Sequence, residues 1–151
     1  AGYENPDRRW GTRAAFVTEV HTYNAAREEK NVFATGETIY MRISYRVLKP
    51  IRNAVFGIAL FRVDGIHCYG TNTKIDQMPA FDLTQDGTVE LELRNIELLP
   101  CEYLLETAIQ DIYDNTMDYY KDAHRFEVYS HIADVGLFRI PHQWRELGDP
   151  K

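Results

Sequence analysis

Between Asn53 and Asp76 the chain reads NAVFGIALFRVDGIHCYGTNTKID, two β-rich runs that meet at Asp64-Gly65. An Asp-Gly pair supplies the positive φ angles of a two-residue turn whose twist matches its flanking strands, so the runs are expected to form an antiparallel hairpin. In the first run Phe56, Ile58 and Leu60 point one way and Val55, Gly57, Ala59, Phe61 and Val63 the other. Both faces are apolar or small, which places this strand in the middle of a sheet. The same period of two predicts a strand over 13–24, with Ala14, Phe16 and Val20 on one face. It predicts another over 37–48, with Ile39, Met41, Ile43, Tyr45 and Val47 inward and Tyr40, Arg42, Ser44 and Arg46 outward. Further strands are expected at 89–93, at 102–112 with Tyr103, Leu105, Thr107 and Ile109 inward, and at 124–130, with a short last one beyond Val135. The stretch 25–36 reads as a charged connection, 74–86 as a long loop and 111–123 as an Asp- and Tyr-rich loop. Residues 1–12 read as a lead-in, with Trp10 as a flap that seals a core edge rather than a ligand platform.

Leu98-Leu99-Pro100 precedes Tyr103 as the turn before a tyrosine corner does, where the phenol bonds back to the loop and locks a crossing between sheets. No stretch holds a 3.6-residue period over three turns. The pattern therefore predicts an all-β sandwich, immunoglobulin-like or jelly-roll, of about seven or eight antiparallel strands over 13–147.

Composition narrows the function. The 151 residues suit one hydrophobic core, and the net charge of −6 disfavours nucleic acid and anionic lipid, whose recognition rests on clustered Lys and Arg. No apolar run approaches the ~20 residues that span a bilayer. The chain opens on Ala1 rather than Met, as either an excised domain or a processed product would. Cys68 and Cys101 read as free thiols of a cytosolic protein, with a single bridge as the alternative. The five histidines, His21, His67, His124, His131 and His142, form no HxH or HExxH pair, so no metal and no cofactor are expected.

The order of several fragments resembles the C-terminal carbohydrate-binding domain of the Wzt-type ATP-binding subunits that export bacterial O-antigen polysaccharide. The fragments are FATGETIYMRISYRV (33–47), VFGIALFRVDGIHCYGTNT (55–73), LLPCEYLLETAIQD (98–111), Tyr119-Tyr120 with FEV (126–128), and GLFRIPHQW (136–144). Cys101 departs from the glycine expected before the tyrosine. The resemblance implies an immunoglobulin-like domain that binds the end of a lipid-linked glycan at the cytoplasmic face of the inner membrane. It also implies a homodimer that exchanges a terminal strand, and as partners an ATP-binding domain and a transmembrane exporter subunit. These residues contain no GxxxxGK followed by Ser or Thr, so ATP binding is not expected of them.

A sugar site needs an apolar platform for the CH face of a pyranose and convergent polar groups for its hydroxyls. If 55–63, 66–73, 103–112 and 124–130 share one sheet, its outer face offers Gly57, Ala59 and Ala108 as a floor and Phe61 as a platform. Glu106, Gln110, Arg125 and Tyr129 are the candidate polar groups, joined by Tyr69 and Asn72 from the hairpin's second strand. An ordinary solvated face or a dimer contact is the alternative. Tyr40, Arg42, Ser44 and Arg46 form a competing surface, read as solvated. Asp111, Asp114, Asp118 and Asp122 crowd together, and a glycosidase needs two carboxylates about 5 to 10 Å apart, but a solvated acidic loop reads more simply and EF-hand spacing is absent. A dimerisation module and a glycoside-active enzyme stand beside the glycan-binding reading.

Overall fold

A computed structural model describes residues 2–148. Ten strands run in chain order: β1 (Arg9–Trp10), β2 (Ala15–Tyr23), β3 (Val32–Ala34), β4 (Ile39–Val47), β5 (Ile51–Arg62), β6 (His67–Asn72), β7 (Phe81–Leu83), β8 (Gly87–Leu93), β9 (Cys101–Asp111) and β10 (Thr116–Tyr129). They form an all-β sandwich of two sheets. A seven-stranded sheet has the order β1-β10-β9-β5-β6, with β3 joined to β10 and β7 to β5, and it faces a three-stranded sheet β2-β4-β8. Alternation explains the core. Phe56, Ile58 and Leu60 on β5 and Tyr103, Leu105 and Ile109 on β9 are buried against Val17, Ile39, Met41 and Ile43 of the small sheet.

The tyrosine corner forms. Tyr103 is buried, its Oη donates to the Leu99 carbonyl at 2.5 Å, and burial pushes its pKa up to about 12.

Several expectations are corrected. The β5–β6 connection is a three-residue loop, not a two-residue turn: Gly65 N–H donates to the Arg62 carbonyl, Arg62 N–H to the Ile66 carbonyl, and only Gly65 (φ 93°) takes a positive φ. This is a type I turn closed by a left-handed glycine. The loop expected at 111–123 is mostly β10, whose pairing with β9 jumps between Thr116 and Asp118 and again between Tyr120 and His124. One extra residue at the first jump flips the face of the side chains after it, and two extra residues at the second break the ladder again without a flip, which hides a 14-residue strand from any test of strict alternation. Short β1, β3 and β7 lie where a lead-in, a connection and a loop were expected, because two or three residues carry no period. The last strand expected beyond Val135 is absent among the described residues: that segment makes one bridge, Leu98 with Phe138, and then leaves the surface of the sandwich. Cys68 and Cys101 are free. Trp10 seals no core edge, because it pairs with Tyr119 and stacks on its ring at 4.6 Å, partly exposed.

Candidate functional site

The outer face of the large sheet carries a shallow depression of about 300 Å³ across β6, β5, β9 and β10. Its floor follows from register: Gly57 pairs with Ala108 and Asn72, and Ala59 with Glu106 and Gly70. With no side chain larger than a methyl group at four neighbouring positions, the sheet is locally thin. A Cβ at Gly57 would sit 3.2 Å from the Asn72 Cβ, and one at Gly70 would sit 3.2 Å from His67 Nε2, so both glycines make room for their neighbours.

Polar groups ring this floor. Tyr119 on β10 opposes Ala108, and its Oη donates to Glu106 Oε1 at 2.6 Å. Burial, then the charge and hydrogen bond of Glu106, push the Tyr119 phenol well above its ordinary range, so it remains a donor at all physiological pH. Glu106 Oε2 is left to accept from a ligand hydroxyl. Gln110 donates Nε2 to Thr116 Oγ1 at 3.3 Å, and Asn72 Oδ1 accepts the Ile75 amide at 2.7 Å. Both amides keep further hydrogen-bonding capacity.

The structure thus brings Glu106, Gln110 and Asn72 together and spreads the other expected residues. Phe61 shares the face, but it pairs with Leu104 two positions beyond Ala59, roughly 7 Å along the strand. One side of its ring is already covered by His67, stacked at 4.5 Å. Arg125 lies in that same outer row, opposite Leu104, with its guanidinium on Asp122 and Glu102. Tyr129 is at the far end of β10 beside β3, in edge contact with His131. Tyr69 opposes the buried Leu60 and so belongs to the opposite face of the sheet. The sequence reading passed over Tyr119 and His67, which line the depression; Tyr119 fell within a stretch expected to be a loop.

The competing surface on the small sheet is self-satisfied. Arg42 donates to Glu90 at 3.2 Å and lies over Tyr23, and Arg27 covers the Tyr40 ring at 3.7 Å. The acidic cluster is also accounted for. Asp118 is buried in an ion pair with Arg9, Asp111 accepts the amides of Tyr113 and Asn115, and Asp122 faces Arg8 and Arg125. Asp111, Asp118 and Asp122 thus each have a structural partner, and no group that could hold a metal is found among the described residues.

Residues 6–140 match the family of the Wzt C-terminal domain. Among solved structures, the crystal structure of the C-terminal domain of Wzt superposes with a TM-score of 0.83 at 17% identity, over 94% of this chain and 90% of that one. A Niemann-Pick type C2 protein from Japanese carpenter ant superposes with a TM-score of 0.51 at 9% identity, over 80% of this chain and 95% of the other. At such identities these likenesses concern the fold. No curated protein matches the chain.

Proposed function

The chain belongs to the Wzt C-terminal domain family, and from that membership and the open face of the large sheet we propose that it is a non-catalytic carbohydrate-binding domain of a polysaccharide exporter. Its ligand is the end of a lipid-linked bacterial glycan of O-antigen or S-layer type. Its partners are an ATP-binding domain and a transmembrane exporter subunit at the cytoplasmic face of the inner membrane. The observation that carries this reading is the depression. Gly57, Ala59, Gly70 and Ala108 admit a flat ring to the sheet, while Glu106, Gln110, Asn72 and Tyr119 offer acceptors and donors around it. Such a set recognises hydroxyls without reacting with them, since among the described residues no second carboxylate lines the floor with Glu106.

No helix among the described residues is long and apolar enough to cross a membrane. A domain of this kind meets its glycan through its partners.

Isothermal titration with the polysaccharide isolated from the source cells tests the proposal. Saturable binding that disappears in Ala108→Trp, which fills the floor, is the expected result. Binding unchanged by that substitution, or no binding by the unaltered protein, overturns it. A second reading, a structural dimerisation module, is favoured by the apolar and exposed Phe138, Ile140 and Trp144. It is distinguished by export that survives Ala108→Trp.

A further inference from the structure

A second cavity lies on the other side of the β5–β6 pair, between the sheets. One flank of the sandwich is closed where β2 packs on β10. On the opposite flank the small sheet ends at β8, which among the described residues pairs only with β4, and the large sheet ends at β6 and β7, so the two edges stand apart. The cleft between them has a volume of about 380 Å³ and reaches the core side chains Phe56, Ile58 and Ile43, with Phe81, Val89 and Leu91 as its walls. Phe56 and Phe81 stack at 5.6 Å along it. The segment after β6 crosses the mouth, held by Asp76 N–H on the Asn72 carbonyl and Met78 N–H on the Thr73 carbonyl, and it leaves the exposed Met78 beside the opening.

Apolar walls open to water hold a standing hydrophobic driving force for an occupant, and the unbranched, polarizable Met78 adapts to whatever enters. At roughly 30 Å³ per water-sized group the space takes on the order of a dozen carbon atoms. The lips settle the head group. Asp76 and Glu90 line the mouth, and no Lys, Arg or His does among the described residues. Glu90 is already engaged by Arg27 and Arg42, whereas Asp76 Oδ2 takes a 3.3 Å bond from Thr71 Oγ1 and can accept another. Glu90 turns with Arg42 to the outer face of the small sheet, so a carboxylate or phosphate head at the mouth would face the Asp76 carboxylate. A hydroxyl head would find an acceptor.

We propose that this inter-sheet cleft is a second ligand site, separate from the outer depression, which takes the aliphatic chain of an uncharged, hydroxyl-headed amphiphile.

The test uses the full chain, the neutral fluorescent probe N-phenyl-1-naphthylamine, and 1-decanol and decanoate as competitors at pH 7. Saturable probe binding is expected, displaced by 1-decanol at concentrations at least tenfold below those needed for decanoate. It should weaken at least tenfold in Leu91→Trp and in Val89→Phe, which fill the cleft. A measurement on the unaltered protein stands beside the variants: with methyl-labelled methionine, 1-decanol should shift the Met78 resonance and leave Met41 and Met117 in place. Absence of saturable binding overturns the proposal, as does binding that persists in both filled variants. Equal competition by decanoate overturns the neutral head. Contacts between the Met78 methyl and the Trp144 ring in the unliganded protein would give the cleft to the chain's own tail and overturn it as well.

Discussion

Arg9 and Asp118 meet as a fully enclosed ion pair: Nη2 lies 2.8 Å from Oδ2 and Nε 2.9 Å from Oδ1, with the two side chains 3% and 0% exposed. Asp118 also accepts the Val17 amide at 2.8 Å and the Tyr3 hydroxyl, while Arg9 reaches the Val17 carbonyl and lies over the rings of Tyr3 and Tyr120. One carboxylate thus ties the N-terminal segment, the small sheet and β10 together. Removing a single partner strands the other charge in the interior, so Asp118→Ala is expected to cost about 3 to 5 kcal/mol. Urea denaturation of Asp118→Ala against the double replacement Arg9→Met with Asp118→Leu checks this. The double variant should recover most of the loss.

The hydrogen bond from Tyr103 to Leu99 allows a cleaner measurement, because phenylalanine keeps the packing against Phe126 and deletes only the hydroxyl. Tyr103→Phe leaves a carbonyl of the β8–β9 connection without that donor. A loss of about 1 to 3 kcal/mol with an unchanged denaturant slope is expected. Glycan affinity should not move, since the corner lies on the inner face.

This corner was legible in the sequence because it is local. Leu99 and Tyr103 are four residues apart, and a turn signal before an aromatic residue carries the geometry. That β6, β5, β9 and β10 share a sheet could be expected because the mid-sheet character of β5 requires a neighbour on each side, whereas their order comes from the pairing. The face of Tyr119 was not. It depends on the single residue that the first β10 bulge absorbs, which the pairing with β9 decides. Trp10 was hidden likewise, since a two-residue strand carries no period and its place on Tyr119 is set by the buried grip on Arg9. Tyr69 was assigned to the hairpin without fixing its register, and alternation about Leu60 sends it to the other face.

At the outer depression, Glu106 and Phe61 make distinguishable contributions. Glu106 takes the Tyr119 hydroxyl on one oxygen and faces the floor, whereas Phe61 is two positions away with His67 on its ring. Glu106→Gln is expected to weaken glycan binding at least about tenfold, roughly 1.4 kcal/mol, at an unchanged melting temperature. Phe61→Ala should weaken it less. Titration calorimetry on both variants decides, and a larger loss for Phe61→Ala would move the site toward the hairpin end.

Two histidines give stability opposite dependences on pH. Burial, then the nearby charge of His21, hold His124 below its ordinary pKa. Thr22 Oγ1 donates to the Lys30 carbonyl, so the 3.0 Å contact from His124 Nε2 is an N–H donated to that hydroxyl, which the neutral ring already satisfies. The unfolded chain binds this proton first, so stability falls as pH drops through the unfolded value near 6.5 toward the lower folded one. His21, bonded to Glu19 and then Glu29, is raised, and its contribution is complete below about 6.5 and fades as pH rises through the higher folded value. His124→Gln, which retains an N–H donor, should remove the loss on the acid side. His21→Asn should abolish the gain in stability as pH falls from 8 toward about 6.5, as followed by urea midpoints from pH 5 to 8.

Assembly turns on the last segment. After the single Leu98–Phe138 bridge the chain leaves the sandwich with Phe138, Ile140 and Trp144 exposed by 57%, 63% and 90%. Apolar surface of this extent on an extended segment invites a partner, and residues 141–148 pair with no strand of their own chain, which leaves them able to join a sheet edge. A second copy of the chain offers such an edge, so the homodimer that exchanges this segment is the expected assembly. Truncation after Ala133 should then yield monomers by light scattering, and Phe138→Ser with Trp144→Ser should raise the dimer dissociation constant at least about tenfold, or 1.4 kcal/mol, while the melting temperature extrapolated to low protein concentration stays put. A dimer that persists in both variants would assign assembly to another surface. A monomeric full chain would leave the segment for a different subunit of the exporter.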